Sequence, residues 1–215
     1  MLTKRDYDFL NRLVDVRSTD SAGKPFSEFR YAYNAAGQRV RADIGGSALG
    51  AFSYWMWGYD NLGQVTSAKK YWNDDTAVAG QQFEFAFDAI GNRTLARSGG
   101  DGTGQGLRES LYSLGGGLLN QYATRTVPSA FDVIGVAPIG TTVQVDNQAA
   151  NRKGEYYWKT VSADNATRPF LKSVTVTGNV GQNQLSQTVT PFLPKSTSAQ
   201  PEQLSYDLEI GRAHV

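Results

Sequence analysis

One short pattern recurs along the chain and constrains its fold more than any other feature. An aromatic residue is followed by Asp or Asn, then by two variable residues, and in three of the copies by Gly and a polar residue. The four clear copies read YDFLNRL, YNAAGQRV, YDNLGQV and FDAIGNRT, and they begin at Tyr7, Tyr33, Tyr59 and Phe87. Their starts lie 26, 26 and 28 residues apart. A period of this size is typical of stacked supersecondary units, none of which can bury its apolar face alone.

Each part of the pattern favours a β-hairpin. Aromatic residues alternate with small or polar ones ahead of the turn, and a period of two is typical of a half-buried strand. The Asp or Asn side chain can accept hydrogen bonds from nearby backbone amides, and Gly supplies a positive φ at low cost. In the first copy Asn stands where Gly is expected, and Asn tolerates the left-handed conformation better than most residues. The turn residues predicted in this way are Asp8, Asn11, Asn34, Gly37, Asp60, Gly63, Asp88 and Gly91.

An aromatic-Asp-x-x-Gly-(Arg/Gln/Asn) motif at this period resembles the YD repeat of the Rhs (rearrangement hotspot) family. The resemblance covers residues 1 to about 125, including a degenerate fifth copy from Tyr112, and it resumes at Tyr206 and Asp207. It implies a structural segment of a large bacterial surface or secreted protein, in which paired β-hairpins wind into a spiral β-shell. Shells of this family can enclose a C-terminal toxin that is released by self-cleavage at a core motif, although neither that motif nor a toxin is visible here.

The composition changes from Val127 onward. Short strands rich in Thr and Val are predicted between Pro and Gly residues, which favours a small antiparallel β-sandwich. The run from Gly135 to Asn165 is similar to the bacterial immunoglobulin-like modules that are inserted in surface proteins, with residues 147–154 as a hairpin.

The sequence therefore predicts an all-β fold, with an array of YD-repeat hairpins followed by a small Ig-like β-sandwich. The expected boundaries are 1–124 for the array, 125–194 for the inserted sandwich, and 195–208 for a linker and the start of a further YD repeat. Residues 209–215 read EIGRAHV. The start of a common short-read sequencing adapter encodes the same seven residues. We expect this stretch to be sequencing read-through, so His214 carries no argument about function.

Two short segments are predicted to lie outside the repeats. The Gly-rich stretch 99–106 contains no Gly-Lys-Ser/Thr and has no second copy, so we expect a flexible loop rather than a phosphate or ion site. The segment 21–24, which reads SAGK, is predicted to be a linker between strand pairs.

Charge and hydropathy give no indication of a nucleic-acid partner or of a membrane span. The formal net charge is +1, from 21 basic and 20 acidic residues, so we expect no nucleic-acid partner. The N-terminus has no apolar run of signal-peptide length, and no stretch approaches the roughly 20 apolar residues of a membrane span. We expect an internal piece of a secreted or cell-surface bacterial protein. Its expected partners are the remainder of the parent Rhs protein and either an encapsulated toxin domain or surface glycans.

The residue types exclude most catalytic chemistry. The chain has no Cys and one His, so nucleophile-imidazole pairs and His/Cys metal sites are not expected. A carboxylate pair of the glycosidase kind stays open in principle, but Asp60 and Asp88 already have roles in turns. We therefore predict no enzyme, no catalytic residue, no metal and no cofactor.

Three tryptophans are the candidate ligand-binding residues: Trp55, Trp57 and Trp158. Aromatic side chains of this kind can stack on sugar rings, and this leaves a carbohydrate-binding cell-surface adhesin as the alternative function. The competing interpretation is that Trp55, Trp57 and Tyr59 alternate on one strand face and pack inside the shell.

Overall fold

The computed structural model describes residues 1–116, 120–181 and 183–206, together with the backbone of 213–214. Every regular element in these ranges is a β-strand, which confirms the all-β class predicted from the sequence. None of the described residues forms a helix long and apolar enough to cross a lipid bilayer. The chain divides into two compact units, residues 1–84 with 100–107 and residues 85–99 with 108–215.

The first unit is an antiparallel meander in which neighbours in the chain are neighbours in the sheet. Tight turns join most of its strands, and a longer loop joins the fourth strand to the fifth. The strands are β1 (Leu2–Tyr7), β2 (Leu13–Thr19), β3 (Pro25–Tyr33), β4 (Arg39–Gly45), β5 (Ser53–Tyr59), β6 (Val65–Trp72) and β7 (Ala77–Phe87), the last of which runs on into the second unit.

The two faces of this meander differ in chemistry, because successive side chains along each strand point to opposite faces of the sheet. One face carries rows of aromatic and apolar residues, for example the row in which Tyr31 pairs with Ala42 and Ala42 with Trp55. The other face carries charged side chains: Glu28 contacts Arg17 on the neighbouring strand and lies 2.7 Å from Arg30 on its own strand. Cross-strand pairs of opposite charge stabilise the register of such a sheet.

The best-buried part of the first unit lies where β7 bulges. Val78 and Ala79 are each 1% exposed, and so is Gln82. The Gln82 Nε2 donates to the carbonyl of Lys70 at 2.6 Å and to that of Val78 at 3.2 Å, so the buried amide nitrogen is satisfied. The Gly-rich segment packs here, because the N–H of Gly80 donates to the carbonyl of Gly100 at 2.8 Å.

The second unit begins with the end of the hairpin array. In its sheet the order is β8 (Arg93–Gly99), β9 (Leu107–Leu114), β10 (Tyr122–Arg125) and β20 (Glu202–Gln203). The segment between β10 and β20 has its two ends at this sheet. The Val127 N–H donates to Ser196 Oγ at 2.8 Å, and Arg125 Nε donates to Glu202 Oε2 at 2.7 Å. The two ends of the segment 127–196 therefore lie close together.

Two small sheets form the body of that segment. The three-stranded sheet has the order β11 (Ala130–Val136), β15 (Tyr156–Ser162) and β14 (Asn151–Lys153). The four-stranded sheet has the order β13 (Gln148–Ala149), β12 (Thr142–Val145), β17 (Val174–Val180) and β18 (Asn183–Val189). Their common interior contains Val143, Val145 and Val174, which are at most 3% exposed. A short pair, β16 (Phe170–Leu171) and β19 (Phe192–Leu193), completes the body.

The expected hairpin over residues 147–154 is wrong. Asp146 and Asn147 both have positive φ and form the tight turn between β12 and β13. The chain then crosses to the other sheet, where β14 turns at Gly154 and pairs with β15. Asn147 and Gly154 belong to two separate turns that lie close together in sequence.

The last strands fall at the margin of the described residues. β21 (Ser205–Tyr206) pairs with the backbone of β22 (Ala213–His214). Tyr206 is thus described, whereas its motif partner Asp207 lies outside the described residues, as do most of residues 209–215. The domain boundaries given from the sequence stay a prediction.

Candidate functional site

The hairpin turns share one geometry, and they are the most regular site in the chain. In each, the N–H of the first residue donates to the carbonyl of the fifth, and the N–H of the fourth donates back to the carbonyl of the first. This is a type I turn followed by a left-handed residue, which is a favoured hairpin connection. Among the described residues such turns occupy 8–12, 20–24, 34–38, 60–64, 72–76, 88–92 and 101–105.

The first side chain of the turn binds the backbone inside it. The Oδ1 of Asp8 accepts hydrogen bonds from the N–H groups of Leu10 and Arg12, both at 2.9 Å. Asp60 and Asp88 accept from the equivalent N–H groups at 2.8 to 3.0 Å. Amide groups that strand pairing leaves free at a hairpin end are satisfied in this way.

The same hydrogen bonds favour the ionised carboxylate. The backbone amide of Arg12 lowers the pKa of Asp8 below its usual range, despite the opposing effect of desolvation. The pKa of Asp88 is lowered first by the side-chain amide of Asn92 and then by backbone amides. These carboxylates are therefore ionised near neutral pH and committed to the turns.

Left-handed residues occupy the fourth position, as the sequence requires. The φ angles are 60° at Asn11, 78° at Gly37, 82° at Gly63 and 91° at Gly91. Adjacent repeats also touch here: a Cβ built on Gly63 would lie 3.2 Å from Nε2 of Gln38 in the preceding turn.

Sequence reasoning missed three turns of the same kind. Gly23, Asp75 and Gly104 are their left-handed residues, with φ of 81°, 61° and 80°. The segment 21–24 is therefore a hairpin turn and not a linker. Residues 101–105 form a hairpin turn that Asp101 closes, so the loop predicted for the Gly-rich stretch contains a regular turn. For the turns at 20–24 and 101–105 the signal was an Asp-x-x-Gly without a leading aromatic residue.

The aromatic residue of the motif joins one hairpin to the hairpin before it. The hydroxyl of Tyr33 donates to the carbonyl of Leu13, and that of Tyr59 donates to the carbonyl of Arg39, both at 2.7 Å. In both cases the acceptor lies 20 residues earlier in the chain. The guanidinium of Arg12 also lies over the Tyr33 ring, 4.8 Å from its centroid.

The acceptors have a common position in the sheet. The β2–β3 ladder ends at the pair Asp15–Arg30, and the β4–β5 ladder ends at Arg41–Met56. Leu13 and Arg39 each lie two residues beyond those ends, where strands of adjacent hairpins no longer pair. The phenol hydroxyl therefore bridges hairpins at the point where backbone pairing stops.

The other aromatic residues of the repeats do not donate this hydrogen bond. Tyr7 is 54% exposed, and its hydroxyl has no hydrogen-bond partner among the described residues. Phe87 has no hydroxyl. Tyr122, in the degenerate copy, accepts a hydrogen bond from the N–H of Arg93 at 2.7 Å instead of donating one.

The candidate ligand-binding tryptophans fall into two places. Trp55 and Trp57 lie in the first unit, with ring centroids 6.1 Å apart and planes at 19°, and Trp55 lies 6.2 Å from Phe83 in the same way. Both indoles are half-buried. Trp158 belongs to the second unit, where it stacks on Tyr156 at 6.1 Å.

Within the described residues there is no group of three or more His, Cys, Asp or Glu side chains that could hold a metal ion. The carboxylates outside the turns pair mostly with cations, as Glu84 does with Lys69 at 2.6 Å.

Comparisons with known proteins leave the family of this chain open. No family model matches the chain, and no curated protein matches it. Among solved structures it is similar to a chain in the crystal structure of TcdB2-TccC3-TEV, with 11% sequence identity and a TM-score of 0.21. The match covers 97% of this chain and 14% of that chain.

Proposed function

We propose that this chain is a non-enzymatic structural segment of a large bacterial Rhs/YD-repeat protein, and that its hairpins form part of a β-shell. The observation that carries the proposal is the pair of tyrosine hydroxyls, Tyr33 and Tyr59, each of which bonds to the preceding hairpin. Repeat units that are bonded to their neighbours gain part of their stability from them. Hairpins that are joined in this way are suited to a scaffold.

The occupied carboxylates support a non-enzymatic role. Glycoside hydrolysis needs two carboxyl groups that are free to face a substrate. Asp60 and Asp88 accept hydrogen bonds from their own turns. Glu28 contacts Arg17 and Arg30.

The wider setting of the segment forms part of the same proposal. The parent protein is secreted or lies at the cell surface, and its remaining repeats are the partner of this chain. The shell that they build is of the kind that can enclose a toxin domain. The segment 125–194 is an inserted Ig-like module, and its three- and four-stranded sheets and its closely spaced ends support this assignment.

An added repeat tests the scaffold role. A copy of residues 27–52 placed ahead of Met1 sets Tyr7 20 residues after the copied Arg39, which is the spacing between Tyr59 and Arg39. We expect the extended chain to have a higher free energy of unfolding in urea than the original chain. Tyr7→Phe should lower that free energy by about 1 kcal/mol in the extended chain, because one hydrogen bond is lost.

Two controls make this experiment specific. A Gly/Ser segment of the same length placed ahead of Met1 should leave the stability unchanged, since it forms no hairpin. Tyr7→Phe in the original chain should also have no effect. Equal stability of the repeat-extended and Gly/Ser-extended chains would refute the scaffold role.

The half-exposed indoles favour a second candidate, a carbohydrate-binding adhesin. Trp55 and Trp57 are nearly parallel and accessible on one sheet face, which suits stacking against sugar rings. A glycan array probed with the whole chain would show binding that Trp55→Ala abolishes. Trp158→Ala would test the second unit separately. An array without any binding would remove this candidate.

A further inference from the structure

Strands β3 to β6 of the first unit present a sheet face on which aromatic and cationic side chains lie side by side. One row across this face consists of Tyr31, Ala42, Trp55 and Lys70, each paired with the next. Trp57 stacks on Trp55 along the same strand. The ammonium of Lys70 lies 5.8 Å from the centroid of the Trp55 ring. We call this face of β3–β6 the aromatic face.

The acidic side chains of these four strands lie on the opposite face. The strands contain two carboxylates, Glu28 and Asp43. Asp43 follows Ala42 in β4 and therefore points the other way, where it lies 2.7 Å from Arg41. Glu28 is engaged by two arginines on that side of the sheet. No carboxylate of β3–β6 therefore lies on the aromatic face.

Two cations of the aromatic face make no ion pair within the described part of the chain. Lys70 is half-buried, and desolvation lowers the pKa of its ammonium without an opposing effect from any carboxylate. The guanidinium of Arg39 lies over the Tyr31 ring, 4.1 Å from its centroid. A partly desolvated cation gains more from a negative partner than a fully hydrated one does. The aromatic face is therefore suited to an anion.

The two cations lie at opposite ends of the row. Tyr31, which carries Arg39, and Lys70 are separated by three steps from strand to strand. Each step is about 4.8 Å, so the ends of the row lie about 14 Å apart. An extended ligand with several negative charges can reach both cations while its apolar surface contacts Trp55.

From these observations we propose that the aromatic face binds an acidic oligosaccharide, whose carboxylates pair with Lys70 and Arg39 and whose sugar rings contact Trp55. The inference rests on the carbohydrate-binding candidate and adds the charge of the ligand to it. A single-stranded nucleic acid fits less well, because its binding grooves are positive along their length, whereas this chain has a formal net charge of +1.

A matched pair of oligosaccharides tests the charge of the ligand on the whole chain. The probes are a linear hexamer of galacturonic acid and its fully methyl-esterified form, which have the same sugar rings and differ in charge. Titration calorimetry measures both affinities. We expect the acid to bind at least about tenfold more tightly than the ester, which corresponds to one charge-assisted hydrogen bond.

Substitutions locate the effect. Lys70→Gln should remove most of the preference for the acid, and Arg39→Gln should reduce it less, because Arg39 is exposed. Lys24→Gln removes the same charge at an exposed turn position and should leave the preference unchanged. Trp55→Ala should weaken both probes by a similar factor, since it removes a contact that does not depend on charge.

The possible outcomes separate this proposal from the candidate on which it rests. Equal affinities for the acid and the ester would overturn the proposal and leave the carbohydrate-binding candidate in place. Binding of neither probe would overturn the proposal, and the glycan array would then decide the candidate. A preference for the acid that is unchanged in Lys70→Gln would also overturn it. Tighter binding of oligothymidylate than of the acid would overturn it in favour of a nucleic acid.

Discussion

Replacement of Gly63 by Val tests the turn geometry most directly. Gly63 has a φ of 82°, and a β-branched residue in the left-handed region costs about 1 to 2 kcal/mol. The new Cβ would also lie 3.2 Å from Nε2 of Gln38. The Gln38 side chain is not free to move without loss, because its Oε1 accepts a hydrogen bond from Asn34 Nδ2 at 2.7 Å.

A second glycine separates the two contributions. Gly37 has nearly the same φ, 78°, but nothing lies within 4 Å of a Cβ built on it. Gly37→Val should therefore cost only the backbone term, about 1 to 2 kcal/mol. Gly63→Val should cost about 0.5 to 1 kcal/mol more, because the Gln38 hydrogen bond is disturbed.

Urea denaturation followed by tryptophan fluorescence measures both costs. A Trp158→Phe background leaves fluorescence to the tryptophans of the first unit, so that its unfolding is followed separately. Wild-type stability in Gly63→Val would refute the left-handed turn. Equal losses at Gly37 and Gly63 would refute the contact between repeats.

Three further outcomes follow from the same geometry. Tyr59→Phe should lower the free energy of unfolding by about 1 kcal/mol, whereas Tyr31→Phe should not, since the Tyr31 hydroxyl makes no hydrogen bond within the described residues; equal effects in urea titrations would contradict this. The lowered pKa values of Asp8 and Asp88 give stability that is complete above the unfolded value of about 3.8 and lost as the pH falls further; an equal urea midpoint at about pH 5 and about pH 3 would count against it. β18 is exposed throughout and uncharged, so sedimentation should show self-association that Leu185→Lys reduces; a monomer at high concentration would disprove it.

The turns could be predicted because their chemistry is local. An Asp or Asn and a glycine three residues later determine the hydrogen bonds and the backbone conformation of the loop at 60–64 without help from distant residues. The turns at 20–24 and 101–105 have the same local chemistry, yet they were missed because an aromatic residue was required ahead of the Asp. The structure shows why that requirement was too strict: the tyrosine serves the junction between hairpins and not the turn.

The turn at 72–76 could not have been found by the motif. It begins at Trp72 and places Asp75, a non-glycine residue, in the left-handed region. The hydroxyl of Tyr54 donates to Asp75 Oδ1 at 2.6 Å. This contact joins residues that are 21 positions apart, so only the packed sheet reveals it.

The sequence by itself determined the all-β class, the repeat period and the backbone conformation of the motif turns, because each of these depends on residues a few positions apart. The tertiary structure alone decided which carbonyl each tyrosine hydroxyl reaches, how far the indoles of Trp55 and Trp57 are exposed, and that Thr141 Oγ1 is buried without a hydrogen-bond partner among the described residues. These features depend on how strands from distant parts of the chain lie side by side, and a strand pattern fixes the face of a residue but not its neighbours across the sheet.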